Sequence, residues 1–263
     1  MRALLVTTPR ITGQELNYLG SMFDIVTNPD EADIVVAAGG DNTMLEAIHL
    51  HYGLKIPFFG WNFGRVGFLL NKIAPDDSGQ FMGIIANAKP IDLWAVQAKI
   101  TYEDGIKATV AGFNDIWISP IGGQTVRMNM SINDRDIGGT IVGDGLIVST
   151  PQGSTGYNRS AGGKIIKPSL PALQITPKSC TIGERRIVMN SIIENADAVV
   201  KIEFEDFRFR PADVFHDGKI VSPYGKPTIE SIEFRRSPLE VKLLFDSESG
   251  FYDKIYNLQY YED

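Results

Sequence analysis

The chain holds a single cysteine, Cys180, among 263 residues, so it forms neither an internal disulfide nor a thiolate metal cluster. Histidine is nearly as scarce. His49 and His51 stand two apart on an expected helix and diverge, His216 stands beside a turn, and no HExxH spacing occurs. A basic surplus is also missing: 25 Lys and Arg face 32 Asp and Glu, for a net charge of −7. That balance argues against non-specific nucleic-acid binding and against an anionic membrane as partner. No apolar run approaches a membrane span, and the one in Met1-Arg2-Ala3-Leu4-Leu5-Val6 is too short for a secretory core, so a cytoplasmic protein is expected. The GxSxG serine elbow is absent, since Gly153-Ser154-Thr155-Gly156 has the wrong spacing.

Glycine, by contrast, is plentiful at 26 residues and signals many tight turns. The most informative of them lies in Asp33-Ile34-Val35-Val36-Ala37-Ala38-Gly39-Gly40-Asp41-Asn42-Thr43-Met44-Leu45-Glu46-Ala47-Ile48. A β-branched apolar run predicts a buried strand, and apolar residues at 44, 45 and 48 predict the helix that follows. Gly39 and Gly40 leave main-chain N–H groups uncovered at the start of that helix, which suits phosphate. Neither GxxxxGK[ST] nor GxGxxG is present at this turn. A carboxylate among phosphates needs a reason. Asp41 either caps the helix, as Asn42 also could, or acts chemically, through a bridging Mg²⁺ or by accepting a hydroxyl proton.

Strands alternating with helices continue on both sides of this turn. Ala3 to Thr7 is an expected strand, Thr12-Gly13-Gln14-Glu15 a capping box, and Leu16, Leu19, Met22 and Phe23 the apolar face of a helix. Asp24 to Val26 and Ile56 to Gly60 read as further strands, and Asp77 to Ala88 as a helix. The pattern predicts an open, mostly parallel sheet, whose ligands bind beyond the carboxyl ends of its strands. The loop Trp61 to Phe68 would open on the same crevice as Gly39-Gly40-Asp41, with Asn62, Gly64 and the phosphate donor Arg65 as candidates.

From Ile91 the texture changes to two-residue alternation, as in Met128-Asn129-Met130-Ser131-Ile132. Turn signals at Glu103-Asp104-Gly105, Gly122-Gly123, Gly138-Gly139, Asp144-Gly145 and Asp217-Gly218 predict an antiparallel, sandwich-like β-rich domain over 91–238. It follows an α/β domain over 1–90, completed by about 239–263 with an apolar run at Val241 to Phe245 and a last helix around Phe251 to Leu258.

Asp144 to Gly163 is the densest run of small and hydroxyl residues. Ser154, Thr155, Tyr157, Asn158 and Ser160 offer hydrogen-bonding groups, while glycines such as Gly156 let a flat polar ligand lie near the backbone. A capped helix start explains the run equally well. Asn114-Asp115, between two apolar runs, either makes a bend or faces a ligand.

Taken together, Gly39-Gly40-Asp41-Asn42-Thr43, Asn62 to Leu69, Asn114-Asp115 and Asp144 to Gly163 resemble the NAD kinase (ATP-NAD kinase) family from about residue 33 through Lys178. Ser149-Thr150-Pro151-Gln152-Gly153-Ser154-Thr155 with Ser160-Ala161-Gly162-Gly163 is the specific part; Gly-Gly-Asp is shared with lipid kinases. The resemblance implies an α/β domain followed by a β-rich domain, with the chain's end returning to the first. It implies transfer of the γ-phosphoryl of ATP, or of polyphosphate in some members, to the 2′-hydroxyl of the adenosine ribose of NAD, with a divalent metal such as Mg²⁺. By likeness Asp41 is the base, Asn114 and Asp115 bind NAD hydroxyls, and Thr155, Gly156, Tyr157 and Ser160 line the adenosine side. Asp144 and Ser179 approach the dinucleotide partly across a subunit contact of a homodimer or homotetramer. The departures are Asn42 for glycine, Gly156 for alanine, Asp115 for glutamate and Val142 for a basic residue. Asn tolerates left-handed backbone angles, so Asn42 is expected to keep the turn while adding bulk beside the phosphates. A non-catalytic NAD(P)-binding regulator and a lipid kinase are the alternatives; the polar Ser149 to Gly163 run and the missing amphipathic membrane face weigh against the second.

Overall fold

The structure, a computed structural model, describes residues 1–64, 66–72, 78–221, 228–245 and 254–255, with the backbone alone for 78–82. The chain divides into two compact units, Met1–Leu93 with Glu240–Asp263, and Trp94–Leu239.

In the first unit β1 (Arg2–Thr7) leads to helix α1 (Gly13–Met22). Its start is set locally: Thr12 Oγ1 accepts from the Glu15 amide at 3.3 Å, and Glu15 returns a carboxylate to the Thr12 amide at 2.6 Å. One side of the helix is driven inward, with Leu19 wholly buried, whereas Leu16 stays 40% exposed. β2 (Asp24–Val26), β3 (Ile34–Gly39), helix α2 (Asp41–His51), β4 (Phe58–Asn62) and helix α3 (Ser78–Asn87) follow. β4 begins two residues later than expected. Pro57 has no N–H for a ladder, although its carbonyl still accepts from Val35 at 3.0 Å.

These strands run parallel in the order β2-β1-β3-β4, and the end of the long strand Ile229–Phe245 adds a further parallel neighbour, Leu243 and Leu244 lying opposite Phe58 and Phe59. All six residues of β3 are buried, as expected for a central parallel strand covered on both faces. Because the order reverses between β1 and β3, a crevice opens at their carboxyl ends, where the Gly39-Gly40 turn lies. Of the expected last helix only Lys254 and Ile255 are described, both helical; Asp77 and Arg65 lie outside the described residues.

The second unit is antiparallel. One sheet runs through Ile141–Gly143, Val126–Ile132, Val200–Glu205 and the first half of Ile229–Phe245. The other is ordered Ile192–Asn195, Ala172–Pro177, Leu146–Ser149, Asp115–Pro120, Ala212–His216 and Lys219–Ile220. Their inner faces share one core, with Met128, Met130, Val200 and Ile202 from the first and Ile116, Ile118, Val148 and Val214 from the second. Alternate residues of Val126–Ile132 and Val200–Glu205 are buried, the signature of a sandwich strand with one face in the core. Among the described residues no helix is long and apolar enough to cross a membrane.

Leu19→Ala is expected to cost about 2–5 kcal/mol by emptying a fully enclosed site. Leu16→Ala, three residues earlier, changes stability by less than about 0.5 kcal/mol. Urea midpoints of the two variants check the contrast.

Candidate functional site

The turn after β3 is built by contact with the helix it starts. Gly39 admits no side chain, because a Cβ there would lie 2.3 Å from Thr43 Oγ1. Gly40, the residue that caps α2, has extended backbone angles, and among the described residues nothing lies within 4 Å of where its Cβ would be. The sequence left Asp41 or Asn42 as caps; neither is. Asp41 is the first helical residue, and no side chain caps the helix. Asn42 is exposed and also helical, so the left-handed tolerance of asparagine is not called on, and its bulk points to solvent.

The Asp41 carboxylate is held instead by the loop after β4. Its Oδ2 accepts from the Phe68 amide at 3.0 Å and its Oδ1 from the Leu69 amide at 2.8 Å. β4 delivers that loop because it lies beside β3, with Gly39 opposite Asn62 and the Phe63 amide on the Gly39 carbonyl at 2.9 Å. Asn62 then shapes the loop, accepting from Gly64 and donating to the Val66 carbonyl at 2.9 Å. Gly64 comes against Gly40, so two bare stretches of main chain meet beside the carboxylate. Asp41 is half-buried as a residue, its carboxylate being the enclosed end. Burial pushes its pKa up, while the Leu69 and Phe68 amides and the charge of Lys254 pull it down. A carboxylate held this way has a fixed orientation and a raised affinity for a proton.

In the second unit Asn114 and Asp115 form a bend held from outside their own strand. Asp217, in the turn after Ala212–His216, accepts from the amides of Phe113 and Asn114 at 2.7 Å each and of Asp115 at 3.2 Å. The Thr150 hydroxyl donates to the Phe113 carbonyl at 2.6 Å and Gln152 Nε2 to the same carbonyl. Gly153 is required here, since a Cβ would lie 2.0 Å from the Asn114 carbonyl. Asn114 Oδ1 is left buried with no hydrogen-bond partner among the described residues. Asp115 is also buried, and its pKa is pushed up to about 7, first by burial and then by the charge of Asp217.

The run that follows divides by burial. Thr155, Gly156, Tyr157 and Ser160 are exposed or half-buried, with Tyr157 edge-on to Trp117 at 5.1 Å. Asn158, expected to offer its amide to a ligand, is instead wholly buried. Its Nδ2 donates to Gln174 Oε1 at 2.5 Å and its Oδ1 accepts from Thr176 at 2.6 Å, so it anchors the run. Asp144 and Ser179 are both exposed, and the Asp144 amide donates to the Lys178 carbonyl at 2.9 Å next to Ser179. Asp217, Thr150 and Gln152 build this bend without standing among the sequence's site candidates; the first is marked in the sequence by the Asp217-Gly218 turn signal and a looser family match there, the other two by the Ser149 to Thr155 run.

Asp115 has a stability consequence with a definite sign. Its folded pKa lies above the ordinary aspartate value, so the folded state binds the extra proton, and its contribution declines as pH rises from about 4 to about 7. Asp115→Asn is therefore expected to raise the melting temperature of the ligand-free protein more at pH 8 than at pH 4, as calorimetry at the two pH values will check.

Residues 25–86 match the sequence profile described as the ATP-NAD kinase N-terminal domain, and residues 113–244 the one described as the ATP-NAD kinase C-terminal domain. The chain is 31% identical over 230 residues to an NAD kinase of Xanthomonas campestris pv. campestris, covering 88% of this chain and 86% of that one. It is 29% identical over 231 residues to an NAD kinase of Rickettsia bellii, covering 88% and 87%. Two solved structures share the fold: a yeast NADH kinase complexed with NADH, at TM-score 0.81 and 16% identity over 100% of this chain and 89% of that one, and an NAD kinase from Archaeoglobus fulgidus in complex with ATP, at TM-score 0.77 and 22% identity over the whole of both. With a bare glycine turn, an oriented carboxylate and both halves of the profile in register along its length, the chain belongs to the ATP-NAD kinase family.

Proposed function

We propose that the protein transfers the γ-phosphoryl of ATP to the 2′-hydroxyl of the adenosine ribose of NAD, giving NADP and ADP. The observation that carries this is the Asp41 carboxylate, fixed by two main-chain amides at a glycine turn that no described side chain covers at Gly40. Phosphoryl transfer asks a protein for in-line positioning, neutralised phosphate charge and a destination for one proton. Gly39, Gly40, Asn62 and Gly64 suit the second task. Asp41 suits the third: it takes the proton as the ribose oxygen bonds to phosphorus and the bond to the β-phosphate oxygen breaks. Fixed amides keep its lone pairs aimed without reorganisation at the moment of reaction.

A divalent ion fits this arrangement as a companion of the nucleotide. Mg²⁺ is commonly held by one or two carboxylates together with phosphate oxygens and water, and Asp41 places one oriented carboxylate at the glycine turn. Bound there, it would neutralise charge on the phosphates.

For the dinucleotide, Asn114 Oδ1 is the supporting feature. A buried acceptor without a donor costs about 1–3 kcal/mol, and a ribose hydroxyl would relieve that cost. Asp115 beside it, and Thr155, Gly156, Tyr157 and Ser160 on the exposed face of the next run, are read as the remaining contacts. Asn158 is read as their anchor. Asp144 and Ser179, exposed on the single chain, suit contacts made across a subunit boundary in a cytoplasmic homodimer or homotetramer. Asn42 motivates the second reading, a dinucleotide-binding regulator, yet its exposed side chain leaves the turn open.

Incubation with Mg-ATP and NAD is expected to yield NADP, detected by an NADP-specific dehydrogenase. Binding of NAD by calorimetry with no product would favour the regulator. Asp41→Asn should lower kcat by roughly 10²- to 10⁴-fold with NAD binding retained. Near-normal turnover in that variant would return Asp41 to a structural role.

A further inference from the structure

We infer that Lys254 is a positioning residue for the Asp41 carboxylate, acting through the main chain of residues 68–70 and resting on the reading of Asp41 as the base. The stretch from Gly60 to Asn71 is closed on itself: the Asn71 amide donates to the Gly60 carbonyl at 2.7 Å, and the Asn62 amide to the Asn71 carbonyl at 2.9 Å. The Asn71 side chain adds bonds to the carbonyls of Gly60 at 3.1 Å and Leu244 at 3.0 Å. Between those ties the Leu70 amide reaches back to the Gly67 carbonyl at 3.3 Å, and the peptide group joining Phe68 to Leu69 is gripped at its two ends by different side chains.

Asp41 holds one side, through the Phe68 and Leu69 amides. Lys254 holds the other. Its ammonium donates to the Phe68 carbonyl at 3.3 Å and to the Leu70 carbonyl, and it lies 4.3 Å from the centroid of the Phe245 ring. The Phe68 carbonyl and the Leu69 N–H belong to one peptide group. Lys254 is therefore linked to Asp41 Oδ1 by two hydrogen bonds in series through a single rigid plane, Nζ–H to O=C and then N–H to Oδ1. A cation at the carbonyl end polarises that plane and strengthens the donor at its far end. The same charge favours the ionised carboxylate, against the burial that disfavours it.

The arrangement has a use in phosphoryl transfer. A base must be both ionised and aimed, and the loop that aims it consists of apolar residues, Phe68, Leu69 and Leu70, whose side chains are buried and offer no charge. Lys254, brought in from the far end of the chain, supplies the missing charge from the carbonyl side of the Phe68–Leu69 peptide. The sequence predicts that the chain's end returns to the first domain but not which groups Lys254 meets there, 184 residues from Leu70.

The test compares Lys254→Met, Lys254→Arg and Asp41→Asn in the dehydrogenase-coupled assay, with NAD binding and melting curves measured in parallel. Lys254→Met should lower kcat on the order of 10- to 100-fold, the scale of a small misplacement of a reacting group, while the KM for NAD changes by less than about threefold. The acid limb of its kcat–pH profile should move to higher pH, and Lys254→Arg should recover both. Lys254→Gln, which keeps a donor and discards the charge, should show the same movement and serves if the Met variant does not fold. An inactive Asp41→Asn alongside a Lys254→Met enzyme with wild-type kcat and an unmoved acid limb would overturn the inference alone. An active Asp41→Asn would overturn the reading of Asp41 and the inference with it.

Discussion

The pair of hydrogen bonds from the Phe68 and Leu69 amides to the Asp41 carboxylate is the constraint on which the geometry around the first unit's glycine turn depends. A short acidic side chain at the start of a helix would ordinarily turn back to its own backbone or out to water. Here the glycine cap leaves it no such role, and the neighbouring loop takes it. The two parallel strands β3 and β4 make this possible by ending side by side, so that a loop leaving one reaches the first helical residue leaving the other. Parallel pairing, a glycine turn and a held carboxylate are thus consequences of one another.

The second unit repeats the logic with different parts. Asp217 gathers the amides of Phe113, Asn114 and Asp115 and so fixes a bend that no local turn residue would hold. The cost is visible in Asp115, a carboxyl confined near another with its proton affinity raised, and in Asn114, whose buried oxygen has no partner among the described residues. Such unrelieved polar groups are unfavourable to folding and favourable to binding, since a ligand that donates to them gains what the fold gave up. Asn158 shows the opposite outcome. Every polar atom of its side chain is engaged, and it acts as scaffold for the exposed residues around it.

Three of the four departures from the family pattern sort themselves by geometry. Asn42 occupies a helical position with its side chain in solvent, which explains how a glycine can be replaced there without disturbing the turn. Gly156 is exposed and has ordinary clearance, its nearest contact being 3.4 Å from a virtual Cβ, so alanine would also fit. Asp115 is enclosed, and a shorter carboxylate there sits in the same tight surroundings that raise its pKa.

What the sequence by itself determined was local in origin. The capping box at Thr12 and Glu15, the β-branched runs, the change from helical to two-residue periodicity and the glycine turns follow from contacts a few residues long, and they sufficed for a parallel α/β part and an antiparallel β-rich part. For Asp41 and Asn114 they left two readings each, cap or base and bend or ligand contact. Only the tertiary structure decided what those residues touch. Asp41 meets amides 27 and 28 residues away, Asp217 reaches back by more than 100, and Lys254 closes on a loop from the other end of the chain. Main-chain amides are the same at every position, so no side-chain pattern announces which of them a carboxylate will find; packing of whole strands and helices makes that choice.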